Sequence, residues 1–128
     1  MESRTARLTD AVEYDYTATA GGHVWTAGAC PLDASGAVVA PGDLAAQTRR
    51  TLDNLEAALT GAGAGLGDVV KTTIYVATAD RADLGTVWDL YRDRLAPHRP
   101  PSTLLGVTVL GWPGQLVEVE AVAYIAGR

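Results

Sequence analysis

The chain has 128 residues, of which 48% are hydrophobic and 20% charged, and its formal net charge is −5. This composition is typical of one globular domain, spanning 1–128, and excludes an intrinsically disordered chain. The basic residues are scattered, which excludes a nucleic-acid partner, and no apolar run reaches the ~20 residues of a membrane helix. A single cysteine excludes an internal disulfide and fits the reducing cytoplasm, where we expect the protein to act.

The first half of the chain predicts a β-hairpin followed by a helix. Polar and small apolar residues alternate over 13–20, and 23–30 is predicted to be the returning strand after a tight glycine turn at 21–22. A loop rich in turn residues follows over 32–42, and Asp43 is placed to cap a helix. The apolar stripe of this helix contains Leu44, Thr48, Leu52, Leu55 and Leu59.

The second half predicts a strand, a second helix and two final strands. Residues 69–76 are apolar and β-branched, which favours a strand. Asp80 or Asp83 begins a helix that ends at Pro97. The stripe of this helix contains Leu84, Val87, Trp88, Tyr91 and Leu95. Residues 100–125 are predicted to form two strands joined by one turn, which contains Gly111, Pro113 and Gly114.

The order ββαβαββ predicts an α+β fold, with one mixed sheet and both helices on one face. The strands carry apolar residues on both faces, whereas two helices can cover only one of them. The last strand shows this most clearly, with Val117, Val119, Val122 and Ile125. We therefore expect the second face to be buried against further copies of the chain.

Two carboxylates, Glu118 and Glu120, interrupt the last strand on one of its faces, because strand side chains alternate with period two. An unpaired buried charge is costly, so these residues predict a polar pocket or an interface. Two interpretations of Glu118 remain open at this point. It either activates a water molecule, or it is a structural acid paired with Lys71 or an arginine. Glu120 is interpreted as structural.

The remaining chemically interesting residues favour structural roles. Cys30 is interpreted as a buried inert thiol, because a nucleophile needs a neighbouring base to lower its pKa. His23 and His98 are predicted to be solvated, and their spacing from the cysteine indicates no metal site. The glycine-rich segment 61–67 is predicted to end a helix, since a phosphate loop requires a helix after its glycines. We expect no cofactor.

Five segments together resemble one known family: TAGACPL at 26–32, DLAAQ at 43–47, LDNL at 52–55, GDVVKTTIYV at 67–76 and VEVEA at 117–121. On these motifs the chain resembles the RidA (YjgF) family over nearly its whole length. The resemblance implies a chorismate-mutase-like fold. It also implies a homotrimer whose sheets form a central barrel, with one small-molecule site at each subunit interface.

The resemblance also implies an activity and a departure from it. Members of the family with deaminase activity hydrolyse reactive enamine and imine intermediates of amino-acid metabolism. Their site holds the substrate carboxylate with an arginine after a Pro-Ala pair, which forms bidentate bonds. Here that arginine falls on Ser102, or on Pro101 if the gap is placed differently, and neither residue can clamp a carboxylate. Trp88 takes the place of a pocket asparagine.

Other family positions are retained. Glu118 matches the water-positioning glutamate and is the catalytic candidate, and Tyr14 matches a tyrosine at the mouth of the site. Ala27 stands where many members have serine, and Cys30 lies beside the presumed site. We expect the substrate to be positioned by apolar and aromatic contacts, and not to be a small amino-acid-derived carboxylate. The residues expected to provide these contacts are Trp88, Leu104 and Trp112, with Ser102 shaping the same end.

Two other functions remain open. The cleft could serve a non-catalytic module that binds a small metabolite and reports its level. Alternatively, the fold could be kept only for protein contacts, with the cleft closed by Trp88. Saturable binding without turnover distinguishes the first of these from an enzyme, and a closed interface distinguishes the second.

Overall fold

A computed structural model describes residues 6–127. The order of elements follows the predicted ββαβαββ pattern, with one short 3-10 helix added before the third strand. The strands and helices are β1 (Thr17–Ala20), β2 (His23–Thr26), α1 (Leu44–Gly61), the 3-10 helix (Leu66–Asp68), β3 (Val69–Ala77), α2 (Arg81–Leu95), β4 (Ser102–Val107) and β5 (Val117–Tyr124).

The five strands form one mixed sheet in the order β1-β2-β5-β3-β4, and both helices cover the same face of it. The predicted α+β architecture is confirmed. The last two strands are joined through the segment that contains the predicted turn residues, but they are not neighbours in the sheet, because β3 lies between them. Helix α2 carries the chain across the sheet, so β4 pairs parallel with β3. The segment 108–116 then leads the chain to the other edge of β3, where β5 pairs antiparallel.

The first hairpin is shorter than the sequence pattern predicts. Strand β1 begins at Thr17, and β2 ends at Thr26, four residues before the predicted end. The reason lies in residues 27–30, which leave the regular ladder. The Ala27 N–H donates to the Tyr16 carbonyl at 2.9 Å, and Ala29 forms an isolated bridge with Val119. This irregular segment lies directly beside β5.

Both helices begin where aspartates cap them. The Asp43 carboxylate accepts a hydrogen bond from the Ala46 N–H at 3.0 Å, and Asp80 accepts one from Ala82 at 2.9 Å. Arg94 on α2 joins the two helices through ion pairs with two carboxylates on α1. Its guanidinium lies 2.6 Å from Asp53 and 3.0 Å from Glu56. The predicted stripes face the core, whose largest buried side chains include Leu52, Leu55, Leu59, Val87 and Tyr91.

The other face of the sheet, which we call the open face, has no covering helix among residues 6–127. It carries aromatic side chains at one end, where His23 stacks on Trp25 with ring centroids 5.6 Å apart and lies 5.0 Å from the Tyr124 ring. Trp25 and Tyr124 remain 44% and 46% exposed. The sheet therefore leaves apolar aromatic surface exposed on its open face.

Candidate functional site

The candidate site is built around Glu118 on the open face. Val117 and Val119 are fully buried against the helices, so the residue between them points the opposite way. Its side chain extends over the irregular segment 27–30, which passes beside β5. The Val119–Ala29 bridge, with N···O distances of 3.1 and 2.7 Å, holds that segment in place.

The two oxygens of the Glu118 carboxylate have different surroundings. Oε1 accepts a hydrogen bond from Gln115 Nε2 at 3.0 Å and lies 3.5 Å from the Cys30 sulfur. Oε2 lies over Gly28, where an added Cβ would be only 2.0 Å away. No ion pair to Glu118 is formed within residues 6–127, and Lys71 instead donates to Thr103 Oγ1 at 2.7 Å.

Gln115 is a site residue that the sequence analysis missed. Its side chain is only 4% exposed, and its Oε1 accepts a hydrogen bond from the Trp112 N–H at 3.1 Å. Its Nε2 donates to the Val117 carbonyl at 3.0 Å as well as to Glu118. The sequence did contain a signal for this residue. Gln115 is an amide in the otherwise apolar segment before β5, and a buried amide needs hydrogen-bond partners.

A second buried glutamine, Gln47 on α1, fixes the turn that carries Gln115. Its Nε2 donates to the Gly114 carbonyl at 3.1 Å, and its Oε1 accepts from the Leu116 N–H at 2.9 Å. Gln47 is fully buried, so no solvent water can take its place as the hydrogen-bond partner of these two backbone groups. The helix therefore holds the chain on both sides of Gln115.

Replacing Gln47 with leucine is expected to lower the free energy of unfolding by about 2–4 kcal/mol. The change leaves the Leu116 N–H and the Gly114 carbonyl without their partner, and each buried unsatisfied group costs about 1–3 kcal/mol. Urea denaturation followed by circular dichroism measures this loss. Arg49→Ala, at an exposed position of the same helix, is the control and should change stability by less than about 0.5 kcal/mol. A Gln47→Leu protein as stable as the control would contradict this account.

Cys30 is a buried thiol that remains protonated at neutral pH. Burial, followed by the charge of Glu118 and its hydrogen bond, raises the pKa of Cys30 to about 12. The thiol is 8% exposed and lies 3.3 Å from the Gly28 carbonyl. A thiol with so high a pKa is a hydrogen-bond donor to Glu118 and not a nucleophile.

The raised pKa of Cys30 gives a pH dependence with a definite sign. The folded state favours the protonated thiol, so its contribution to stability is complete below the ordinary value of 9.0 and is lost as the pH rises towards 12. Glu118→Gln removes the charge that helps to raise this pKa. We expect the variant thiol to be alkylated about tenfold faster at about pH 9, which mass spectrometry can measure. Equal rates in the two proteins would show that Glu118 does not act on Cys30.

A small cavity lies between the segment 8–16, the irregular segment 27–30 and helix α1. Tyr14 lines it, and burial, Cys30, Tyr16 and Glu118 raise the pKa of Tyr14 in that order of effect. The Tyr16 hydroxyl donates to the Thr9 carbonyl, which fixes this N-terminal segment over the site. The structure thus brings together four of the predicted residues: Tyr14, Ala27, Cys30 and Glu118.

The fold and this site have relatives among known proteins. The sequence profile of the endoribonuclease L-PSP family matches residues 4–125. The chain belongs to the endoribonuclease L-PSP (RidA/YjgF) family. The 2-iminobutanoate/2-iminopropanoate deaminase of Escherichia coli is 36% identical over 107 residues, which cover 80% of each chain.

A second relative of this RidA-family chain is the 3-aminoacrylate deaminase RutC of Acinetobacter baylyi. It is 33% identical over 102 residues, which cover 80% of this chain and 79% of the relative. Among solved structures, the YjgF gene product of E. coli superposes with a TM-score of 0.78 and 32% identity, covering 94% of both chains. These similarities confirm the RidA-like fold.

Trp112 lies near this RidA-family site, where its N–H donates to Gln115 at 3.1 Å, whereas the remaining predicted residues, Trp88, Ser102 and Leu104, lie on the helix side of the sheet. Ser102 pairs in register with Thr72, which faces α2, and its hydroxyl lies 3.1 Å from the Tyr91 hydroxyl. Leu104 packs against the core, and Trp88 packs on the Tyr91 ring with centroids 5.3 Å apart. One chain therefore does not bring them to Glu118. The direction in which β4 turns the Ser102 side chain depends on the sheet register, which the sequence motif does not contain.

The two histidines have different surroundings. His23 is exposed as predicted, whereas His98 is half-buried, with Nε2 2.7 Å from the Val69 carbonyl, so the prediction of a solvated His98 is wrong. Residues 6–127 contain no group of three or more His, Cys, Asp or Glu side chains that could bind a metal. In the same part of the chain, no helix is long and apolar enough to cross a membrane.

Proposed function

We propose that this RidA-family protein hydrolyses a reactive imine or enamine, and that the Glu118 carboxylate positions and polarises the attacking water. The observation that carries this proposal is the arrangement of the carboxylate itself. Oε1 is held by Gln115, while Oε2 lies over Gly28 without a protein donor among the described residues. Two relatives named as deaminases of 2-iminopropanoate and 3-aminoacrylate support the same chemistry.

The proposed reaction needs only water and one proton acceptor. As the water oxygen bonds to the imine carbon, Glu118 takes a proton from the water and passes it to the imine nitrogen, which gives a carbinolamine. Glu118 then moves the hydroxyl proton of the carbinolamine to its amino group, which leaves as ammonia while the carbonyl bond forms. An enamine enters the same route after conversion to its imine tautomer by protonation at carbon and loss of a proton from nitrogen. A general base of this kind contributes about 10²–10⁴-fold to the rate. Cys30 takes no part as a nucleophile, because its pKa of about 12 keeps it protonated.

The surroundings of Glu118 support a substrate without a small carboxylate. Among residues 6–127, no lysine or arginine contacts Glu118, and Lys71 on the same face is bound to Thr103. Ser102, which stands at the family's arginine position, bonds to Tyr91 on the helix side. We infer that apolar and aromatic contacts hold the substrate, and that the protein is not a standard 2-aminoacrylate deaminase.

We also propose that the working unit is a homotrimer with the site at a subunit boundary. The support is the open face, where Trp25 and Tyr124 remain nearly half exposed and which no helix of the described chain covers. A second copy would complete the cleft that Glu118 faces. Sedimentation at micromolar concentration should give the mass of three chains, and a monomer would refute this part of the proposal.

The enzyme proposal is tested with imines that differ in charge. An amino-acid oxidase supplies imines that carry a carboxylate, and an amine oxidase supplies imines that lack one. Their decay is followed by competition with semicarbazide, which traps the remaining imine. We expect faster hydrolysis of the uncharged series by the wild-type protein. If wild type and Glu118→Gln are equally inert on every compound, the enzyme proposal fails, and saturable binding without turnover would support the metabolite-binding alternative.

A further inference from the structure

We propose that Gln115 is a positioning residue for Glu118, which binds Oε1 so that Oε2 is the oxygen that meets the water. The catalytic consequence rests on the proposed function, but the positioning itself is a property of this chain. The contact joins Gln115 Nε2 to Glu118 Oε1 at 3.0 Å. Gln115 does not touch the water or the substrate in this account, and it acts only through the carboxylate.

The orientation of the Gln115 amide is determined by its neighbours. The Trp112 N–H lies 3.1 Å from Gln115 Oε1 and can only donate, so an acceptor oxygen must face it. The amide nitrogen therefore points to the other side, where its two hydrogens meet the Val117 carbonyl and Glu118 Oε1. A flipped amide would lose all three hydrogen bonds. The donor to Glu118 is thus fixed.

The backbone around Gln115 is also held. The Gln115 N–H donates to the Trp112 carbonyl at 3.0 Å, which closes the turn. Gln47 bonds to Gly114 and Leu116, the residues on either side, at 3.1 and 2.9 Å. A buried side chain on a fixed backbone holds its partner with little freedom, which is what a positioning residue requires.

Cys30 is a weaker second donor to the same oxygen. Its thiol carries one hydrogen but has two acceptors in reach, Glu118 Oε1 at 3.5 Å and the Gly28 carbonyl at 3.3 Å. Thiols are weak donors, so the amide of Gln115 contributes the dominant bond. Without that bond, the carboxylate can rotate about its last torsion, which has a broad energy profile.

Gln115→Met tests the proposal, since methionine has a similar length and no amide. We expect kcat for imine hydrolysis to fall by about tenfold or more while KM changes by less than about threefold, because the loss affects the reacting carboxylate and not substrate binding. The control is Thr51→Val, which removes another buried polar atom, one that has no partner and no contact with Glu118. This control should keep the wild-type kcat.

A second measurement does not depend on turnover. In protein labelled with ¹³C at the glutamate carboxyls, the Glu118 resonance is assigned by its absence in Glu118→Gln. It should shift or broaden in Gln115→Met and stay unchanged in Thr51→Val. If Gln115→Met does not fold, Gln115→Asn replaces it, because that variant keeps an uncharged amide in the turn but is one methylene shorter, which draws the donor away from Glu118.

The two measurements separate this inference from the proposed function. A Gln115 variant with wild-type kcat and an unchanged Glu118 resonance would overturn the positioning role. If the wild type hydrolyses no imine but the resonance shifts as expected, the positioning stands and the proposed reaction fails. If kcat and KM change together with the resonance unchanged, Gln115 has only a structural role and the inference is rejected.

Discussion

Glu118→Gln is expected to lower kcat for imine hydrolysis by about 10²–10⁴-fold while the protein keeps its fold. The amide has nearly the same shape and still offers an oxygen to Gln115 Nε2, so the local packing is preserved. It cannot take a proton from water, and the stated loss is the usual contribution of a general base. Initial rates under saturating imine, with circular dichroism as the folding check, measure the effect.

Glu120→Gln is the matched control for this prediction. Glu120 lies two residues along the same strand, on the same open face, and is half-buried like Glu118. Its neighbour across the sheet is Thr73, whereas Glu118 stands opposite Tyr75, and among residues 6–127 Glu120 shares none of the hydrogen bonds that join Glu118 to Gln115 and Cys30. The control should retain the wild-type kcat within about threefold. A similar loss in both variants would show that charge on the open face, and not the position of Glu118, controls the rate.

Gly28→Ala is expected to remove about as much activity as the loss of the carboxylate itself. A Cβ at this position would lie 2.0 Å from Glu118 Oε2 and 2.6 Å from its Cδ, far inside van der Waals contact. The carboxylate must therefore move away from the place where it meets the water. A displacement of about 1 Å can lower the rate by about 10²-fold, even when the chemical groups are unchanged.

The backbone does not explain this effect, because Gly28 is not among the glycines with positive φ and an alanine can adopt its conformation. The expected loss is therefore steric and specific to Glu118. Gly67→Ala is the control, since an added Cβ there meets no atom within 4 Å. Rates and thermal unfolding should be compared in all three proteins. Wild-type activity in Gly28→Ala would mean that the carboxylate works from a different position.

Local patterns in the sequence were sufficient for most of the fold. The apolar stripes containing Leu52 and Tyr91 correctly indicated two helices, since helical spacing is a local property of the chain. The pairing of the last strands could not be predicted from such patterns. Segment 108–116 looks like a turn, but whether it joins neighbouring strands depends on where α2 has placed β4, which is not encoded in the turn itself.

The candidate site could be predicted only in part for the same reason. Glu118 was singled out as a carboxylate inside an apolar strand, and the roles expected for it and for Tyr14 came from the resemblance to the RidA family. Gln115 was missed, since its role depends on three contacts that involve Trp112, Val117 and Glu118 at once. The match of Ser102, or of Pro101, to the family's arginine stays a prediction, and the sheet register turns the Ser102 side chain towards α2.

The sequence by itself determined that Glu118 points away from the core, because alternation along a strand puts it opposite the faces of Val117 and Val119. Only the tertiary structure decided what that carboxylate meets. Cys30 is 88 residues away in the chain and reaches Glu118 because Ala29 bridges to Val119 outside the regular ladder. Alternation is set by the geometry of neighbouring residues, whereas such a contact depends on how distant segments pack together.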